Sequence, residues 1–327
     1  MNLSRRFTLA SACLLLAAGL GAPSLAFAQA SFPANKPVRL INNFPPGGPS
    51  DILARAVQPV LQDLLKQTVI VENKPGAGGN LGATEVARAP ADGHTLLVSI
   101  DTTLTVNPHI YPKLPFKPAD LKPIVIMASS GLLLGVHPST GIKNMQGLVS
   151  AGKTKGLNFS SGGNGSPGHL AVEVMQDAAS LKIAHVPYKG NNPAVTAILA
   201  GEVDGGSLAT PGMMTHVQAG KITPLAVTSS RRSKLAPDLP TVGELGFKSL
   251  EQEVLYLVMV PTATPEPVVN TLQKGIVDAL NRPDVQQRLA NLDLHIEGIT
   301  GAAASQRLVD TSARYAKVIA ATGMKVD

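Results

Sequence analysis

The sequence predicts an α/β fold of two parallel-rich sheets, flanked by helices and joined by two crossing strands. Three observations carry this. Short apolar runs alternate with stretches of helical spacing along most of the chain. Glycine-rich turns separate several runs from the helices that follow, as happens at strand carboxyl ends in such folds. Two apolar segments, Ile124 to Val136 and Val254 to Val260, are unusually long, and two crossing segments make the central block an insertion. The predicted division is lobe one over 33–128 and 256–327 and lobe two over 129–255. Two lobes joined by two strands can close on a ligand as a hinge.

The N-terminus reads as a leader over residues 1–28. Arg5 and Arg6 precede an apolar stretch from Leu9 to Leu20, and Ala26-Phe27-Ala28 offers a small-x-small cleavage site before Gln29. The apolar core is too short to span a bilayer comfortably. Ser4-Arg5-Arg6-Phe7 hints at a twin-arginine signal, but the rest of that pattern is loosely met, and the general secretory reading is favoured. Cys13 has almost no apolar core before it, which argues against a lipid-anchored cysteine. The mature chain is therefore expected to be exported and soluble. Losing the leader removes Arg5, Arg6 and the only cysteine, and lowers the formal net charge from +6 to about +4. Without disulfides, stability rests on a core of ordinary size. Lys and Arg are scattered, and the doublet Arg231-Arg232 lacks aromatic neighbours, so no nucleic-acid partner is expected.

Val38 to Phe44 reads as a buried strand, and Ile52/Leu53, Ala56/Val57, Val60/Leu61 and Leu64/Leu65 as one face of a helix. Between them, Pro45-Pro46-Gly47-Gly48-Pro49-Ser50-Asp51 forms a tight turn, with Ser50 placed to cap the helix. A helix start carries unpaired N–H groups and partial positive charge, so this turn is a ready anion site. It contains no Lys or Arg, so backbone and hydroxyl groups would hold the ligand, which suits a carboxylate or a polar small molecule. Val69 to Asn73 reads as the next strand. The turn Asn73-Lys74-Pro75-Gly76-Ala77-Gly78-Gly79-Asn80 then opens a helix to Arg88, and close packing explains its glycines as well as ligand contact does. After a turn at Ala91-Asp92-Gly93, His94 to Ser99 reads as a strand whose end, Asp101-Thr102-Thr103, offers hydroxyls to the same cleft.

Further strands are read at Leu157 to Ser160, Ile183 to Tyr188 and Pro224 to Thr228, with helices at Pro193 to Ala200 and Pro211 to Ala219. Thr210 would present its hydroxyl from the inserted domain. Thr264-Pro265-Glu266 places a cap, a proline and an acid at a helix start, and Asp284 to Leu292 and Ser305 to Ala321 read as helices.

The turn Ser160-Ser161-Gly162-Gly163-Asn164-Gly165-Ser166-Pro167-Gly168-His169 contains a literal G-x-G-x-x-G. A dinucleotide site needs an acid at the end of the next strand, where Pro187-Tyr188-Lys189 stands instead. A mere tight turn remains open. A small-anion contact through Ser161, Gly165, Ser166 and the helix start is preferred. Catalytic patterns fail. The glycine two residues before Ser166 that a nucleophile elbow requires is absent. No glycine loop carries G-K-[ST], and the histidines lack metal-ligand spacing. His169 could act as a base, lie beside a ligand or simply pack. Glu251 and Glu253 alternate on a strand, where solvation explains them. Neither a metal nor a cofactor is expected.

The segments Pro45 to Asp51, Asn73 to Gly79, Ala91-Asp92-Gly93-His94-Thr95-Leu96, Gly165-Ser166-Pro167-Gly168-His169-Leu170, Val186-Pro187-Tyr188-Lys189-Gly190 and Leu199 to Asp204 resemble the Bug (TctC) proteins. Leu225 to Ser229 and Leu239-Pro240-Thr241-Val242 continue the match in order across nearly the whole mature chain. These are the extracytoplasmic receptors of tripartite tricarboxylate transporters. The resemblance implies a two-lobed periplasmic-binding-protein fold of type II, in the periplasm, and a small carboxylate bound between the lobes. It implies partnership with integral-membrane permease subunits, no enzymatic activity and a monomer. A sensor subunit for a two-component system is the alternative, and an enzyme on this scaffold is weaker still. Carried over by position, Gly47, Gly48, Ser50 and Asp51 would hold the carboxylate from lobe one. Ser160, Ser161, Gly165, Ser166 and His169 would face it from lobe two, with Asp204 near the cleft. The chain departs from the family in having no tryptophan, in Thr262-Ala263-Thr264-Pro265 replacing a glycine-bearing turn, in His94 where tyrosine is common, and in Pro59, which should kink the first helix. These departures bear on the far end of the pocket and on ligand identity.

Overall fold

The computed structural model describes residues 36–326. The expected leader, its cleavage site and Cys13 lie outside the described residues. The chain enters as β1 (Val38–Asn42), α1 (Pro49–Leu65), β2 (Val69–Asn73), α2 (Asn80–Ala87) and β3 (Thr95–Ile100). Two short helices, α3 (Thr102–Thr105) and α4 (Asn107–Ile110), lead into β4 (Leu121–Ser130) and β5 (Leu132–Val136). Next come α5 (Met145–Thr154), β6 (Leu157–Ser161), α6 (Pro167–Ala179), β7 (Ile183–Pro187), α7 (Asn191–Leu199), β8 (Gly205–Ala209), α8 (Thr210–Gln218) and β9 (Thr223–Val227). Finally β10 (Val254–Pro261), α9 (Glu266–Leu280), α10 (Pro283–Ala290), β11 (His295–Thr300) and α11 (Gly301–Thr322) complete the molecule.

The strands form two mixed sheets, one of six strands in the order β11-β4-β10-β3-β1-β2 and one of five in the order β7-β6-β8-β5-β9. Parallel pairing links β2-β1-β3 and β7-β6-β8, where each strand is followed by a helix. Every antiparallel pair involves β4, β5 or β10. These three strands come from the two long apolar segments. A fully buried strand is apolar on both faces whichever way it runs, so its sequence carries no sign of direction.

The segment 124–136 is two strands rather than one, broken at Gly131, so that β4 serves the first sheet and β5 the second. The break is braced from the other passage. The Leu132 N–H donates to Thr228 Oγ1 (2.8 Å), and that hydroxyl donates to the Gln252 carbonyl (2.7 Å). Gln252 Nε2 in turn donates to the carbonyl of Pro167 (3.0 Å), holding the first turn of α6.

Each sheet has its own core. On the first, α1 buries Leu53, Ala54, Val57 and Leu61 beside Val269, Leu272 and Ile276 of α9. On the second, Phe159 and Val172 pack with Leu148 of α5. A smaller cluster sets Leu170 of α6 against Val106, Ile110, Tyr315 and Ile319. A fully buried side chain of this kind contributes about 1.5–3 kcal/mol.

Several local expectations are corrected. Gly48, not Ser50, is the N-cap of α1, with Pro49 at the first helical position and Ser50 buried inside the first turn. The helix continues through Pro59 as one element of 17 residues. Thr264 does not cap α9; its hydroxyl donates to the Pro261 carbonyl (2.7 Å). Glu251 and Glu253 precede β10 and are not in a strand, and Glu253 is paired with Arg307 (3.1 Å). Strands β8 and β11 were not anticipated. No helix among the described residues is long and apolar enough to cross a membrane.

Candidate functional site

A cavity of about 180 Å³ opens where strand carboxyl ends of the two sheets meet. Its walls are three strand-to-helix turns. Phe44 to Pro46 and Gly48 to Ser50 come from the β1–α1 turn, Gly162 and Ser166 to Gly168 from β6–α6, and Lys189 to Pro193 from β7–α7. The cavity thus receives the N-terminal turns of α1, α6 and α7 together, and Ala209, the N-cap of α8, also lines it. Each such turn presents N–H groups with no carbonyl upstream, and the helix dipole adds partial positive charge. Lys189 is the one charged residue in the lining, and no carboxylate is present there. The one formal charge in the lining and the helix-start dipoles both favour an anion.

The turns are shaped by local chemistry. Ser166 caps α6, its Oγ accepting the His169 N–H (3.2 Å). A β-carbon on Gly168 would fall within the radius of the Ser207 carbonyl oxygen, so only glycine lets α6 lie this close to β8. Across the mouth, a β-carbon on Gly190 would stand 3.4 Å from Pro45 Cγ, and Gly190 adopts φ +110°, a value that glycine tolerates.

Of the residues singled out in the sequence, Gly48, Ser50 and Ser166 line the cavity. The rest stand behind it or away from it. Gly47 is an exposed turn residue whose N–H donates to Asp51 Oδ2 (3.0 Å). Asp51 is buried. Burial opposes its ionisation, but hydrogen bonds from Arg55, Gly47 and Asn73 outweigh this and hold the carboxyl below the usual range. It braces the turn from within. Thr103 bonds Asn43 Nδ2 (3.1 Å) and Ser99 Oγ (3.0 Å) in a buried network, and Thr102 is buried in α3. Ser160 Oγ donates to the Ala194 carbonyl (3.1 Å), tying β6 to α7. Thr210 Oγ1 donates to the Gly131 carbonyl (3.1 Å), at the passage between sheets. Asp204 precedes β8, at the strand end opposite the cavity, and its Oδ2 accepts the Asn158 N–H (2.7 Å).

His169 packs. Its ring stacks on His185 at 3.8 Å and 9°, Nδ1 accepts the Gly165 N–H (3.2 Å), and Nε2 lies 3.3 Å from Glu173 Oε1. Burial, with repulsion from His169 second, pushes His185 down to about 3, so it is neutral where it meets Ser161 Oγ at 2.6 Å. Ser161, Gly165 and His169 therefore shape α6 from beneath and do not line the cavity. Sequence reasoning missed Lys189, Asn191, Ser207 and Tyr256. A signal was available for the first two: Pro187 to Asn191 is another strand, glycine and helix start.

A cleft walled by helix starts is the architecture of a binding protein. The sequence profile of the tripartite tricarboxylate transporter family receptor (TctC) matches residues 53–324. Protein BugT of Bordetella pertussis is 32% identical over 335 residues, covering 100% of both chains. The chain belongs to the tripartite tricarboxylate transporter receptor family, a family of solute-binding receptors and not of enzymes. A solved periplasmic transporter is similar at 33% identity and a TM-score of 0.83, covering 90% of this chain and 99% of its own. Rpa4515 of R. palustris, solved with adipate, is similar at 28% identity and a TM-score of 0.84, with coverage of 90% and 99%.

Proposed function

We propose that this chain is a periplasmic receptor that captures a small carboxylate in the cavity and delivers it, as a monomer, to the permease of a tripartite tricarboxylate-type transporter. The observation that carries the reading is the convergence of three helix N-termini and Lys189 on a cavity lined by no acid. Adipate in Rpa4515 supports the ligand class. In this reading the two sheets belong to two lobes, 33–128 with 256–327 and 129–255, which hinge about the Gly131 and Gln252 passages. Gly48, Ser50, Ser166, Lys189 and Asn191 hold the carboxylate. The chain reaches the periplasm by cleavage after Ala28, so N-terminal sequencing of exported protein should begin at Gln29.

A carboxylate at 100 times its dissociation constant should add about 2.7 kcal/mol to stability. A thermal-shift panel of carboxylates against their neutral amides reads this directly. Shifts from the amides alone would refute anion capture. Ser50→Ala should weaken carboxylate binding about tenfold with an unchanged melting temperature for the free protein. Ser50 lines the cavity, and its hydroxyl has no hydrogen-bond partner among the described residues.

A further inference from the structure

We infer that the preferred ligand is a monocarboxylate with an apolar body, an inference that rests on the carboxylate-capture reading above. Burial grades the cavity lining from exposed residues to buried ones, and the helix starts contribute to both, with Ser50, Pro167 and Gly168 buried. Pro46, Lys189 and Asn192 are exposed at the outer end, beside the helix starts. The inner end is formed by Ile100, Leu132, Leu208, Val254 and Tyr256, none more than 8% exposed. Tyr256 is the polar member of this set, and its hydroxyl is already engaged by Ser130 Oγ (3.0 Å). The outer end can replace the hydration of one carboxylate with N–H groups and the Lys189 ammonium. The inner end has no cation. A second carboxylate driven against these side chains would lose its water and gain almost nothing in return. An alkyl or aryl body gains there by the same burial. A space of about 150 Å³ is enough for a benzene ring, and this cavity measures about 180 Å³.

One inner group is unspent. Ser207 lines the cavity, is fully buried, and its Oγ has no hydrogen-bond partner among the described residues. A buried hydroxyl left alone is costly, and a single hydroxyl or carbonyl on the ligand would satisfy it. The ligand assigned by the geometry is thus anionic at one end and apolar along its body, with room for one neutral polar substituent. Adipate, charged at both ends, is the contrasting case.

Hexanoate and adipate share six carbons and differ in the far end, so titration calorimetry of the purified full-length protein with both isolates the question. Benzoate and hexanamide complete the panel. Hexanoate or benzoate should bind at least tenfold tighter than adipate, and hexanamide should bind more weakly than hexanoate. Adipate binding as tightly as the monocarboxylates, or tighter, overturns this inference and leaves carboxylate capture standing. If hexanamide binds and no carboxylate does, carboxylate capture itself falls, and the inference with it. Ser207→Ala should leave hexanoate within twofold while weakening 6-hydroxyhexanoate at least fivefold. An equal change in both, or none, overturns the role given to Ser207.

Discussion

Alanine at Gly168 should destabilise the protein by roughly 3 kcal/mol or more and abolish carboxylate capture. The added methyl has no rotamer to escape into. It meets the Ser207 carbonyl oxygen and lies 3.1 Å from Ser161 Cβ, so the helix or the strand must move. The helix that moves carries Ser166 and Pro167, two residues of the cavity wall. Stability and binding should therefore fail together. Gly162→Ala is the control for stability, because its β-carbon would meet nothing nearer than Asn191 N at 3.7 Å. Urea denaturation at constant slope measures both variants. A Gly168→Ala midpoint equal to that of the parent would show that α6 is not seated on β8 as described.

Asp101→Asn should stabilise the protein at pH 8 by about 3 kcal/mol and make little difference at pH 4. Asp101 closes β3. Its Oδ1 accepts the Leu255 N–H (3.0 Å) and its Oδ2 accepts the Thr105 hydroxyl (3.2 Å). Burial pushes its carboxyl up from 3.8 to about 6, against the pull of those hydrogen bonds and of Arg314. A carboxyl raised in the folded state binds its proton there at pH values where the unfolded chain has lost it. Its contribution is thus fully present below about pH 4 and lost as pH rises through about 6. The amide has no charge to bury and keeps an oxygen for Leu255. Thermal midpoints of the two proteins should converge on acidification, while Asp51, Glu72 and Asp92, whose carboxyls are held low, weaken both alike. A difference that does not change with pH would mean that Asp101 stays ionised in the fold throughout.

Most of this architecture was legible in the sequence, because its signals are local. The β1–α1 and β6–α6 turns announce themselves by glycine, proline and serine between an apolar run and a helical face. The family resemblance extended those signals to a fold and a ligand class. What escaped depended on distance. Asp51 and Ser160 look like ligand groups in the sequence. Only the folded chain brings Asn73 to the one, beside its helical neighbour Arg55, and the Ala194 carbonyl to the other. Strand β8 was hidden by Gly205-Gly206, a poor strand former by propensity. There the missing side chains make room for Phe159 and Ile198. Lys189 is read in the sequence as the wrong residue for a nucleotide site and as part of the family match, not as a ligand group. Its place beside a third helix start follows from the β7-β6-β8 order, which periodicity does not encode.

That order of strands also bears on when the molecule can become itself. In the six-stranded sheet, β4 lies between β11 and β10, and β3 meets β4 only through β10. Until residues 254–300 have been synthesised, β4 has no strand to pair with and β3 is left as an open edge. A growing chain can form β2-β1-β3 but cannot complete the sheet from what has emerged. Pairings this distant in sequence also form slowly once they are possible. The time between first emergence and completion is therefore long. During it the chain is loose enough to be threaded or held by a chaperone, and it needs that protection, since β3 and β4, almost wholly buried in the finished sheet, are left waiting.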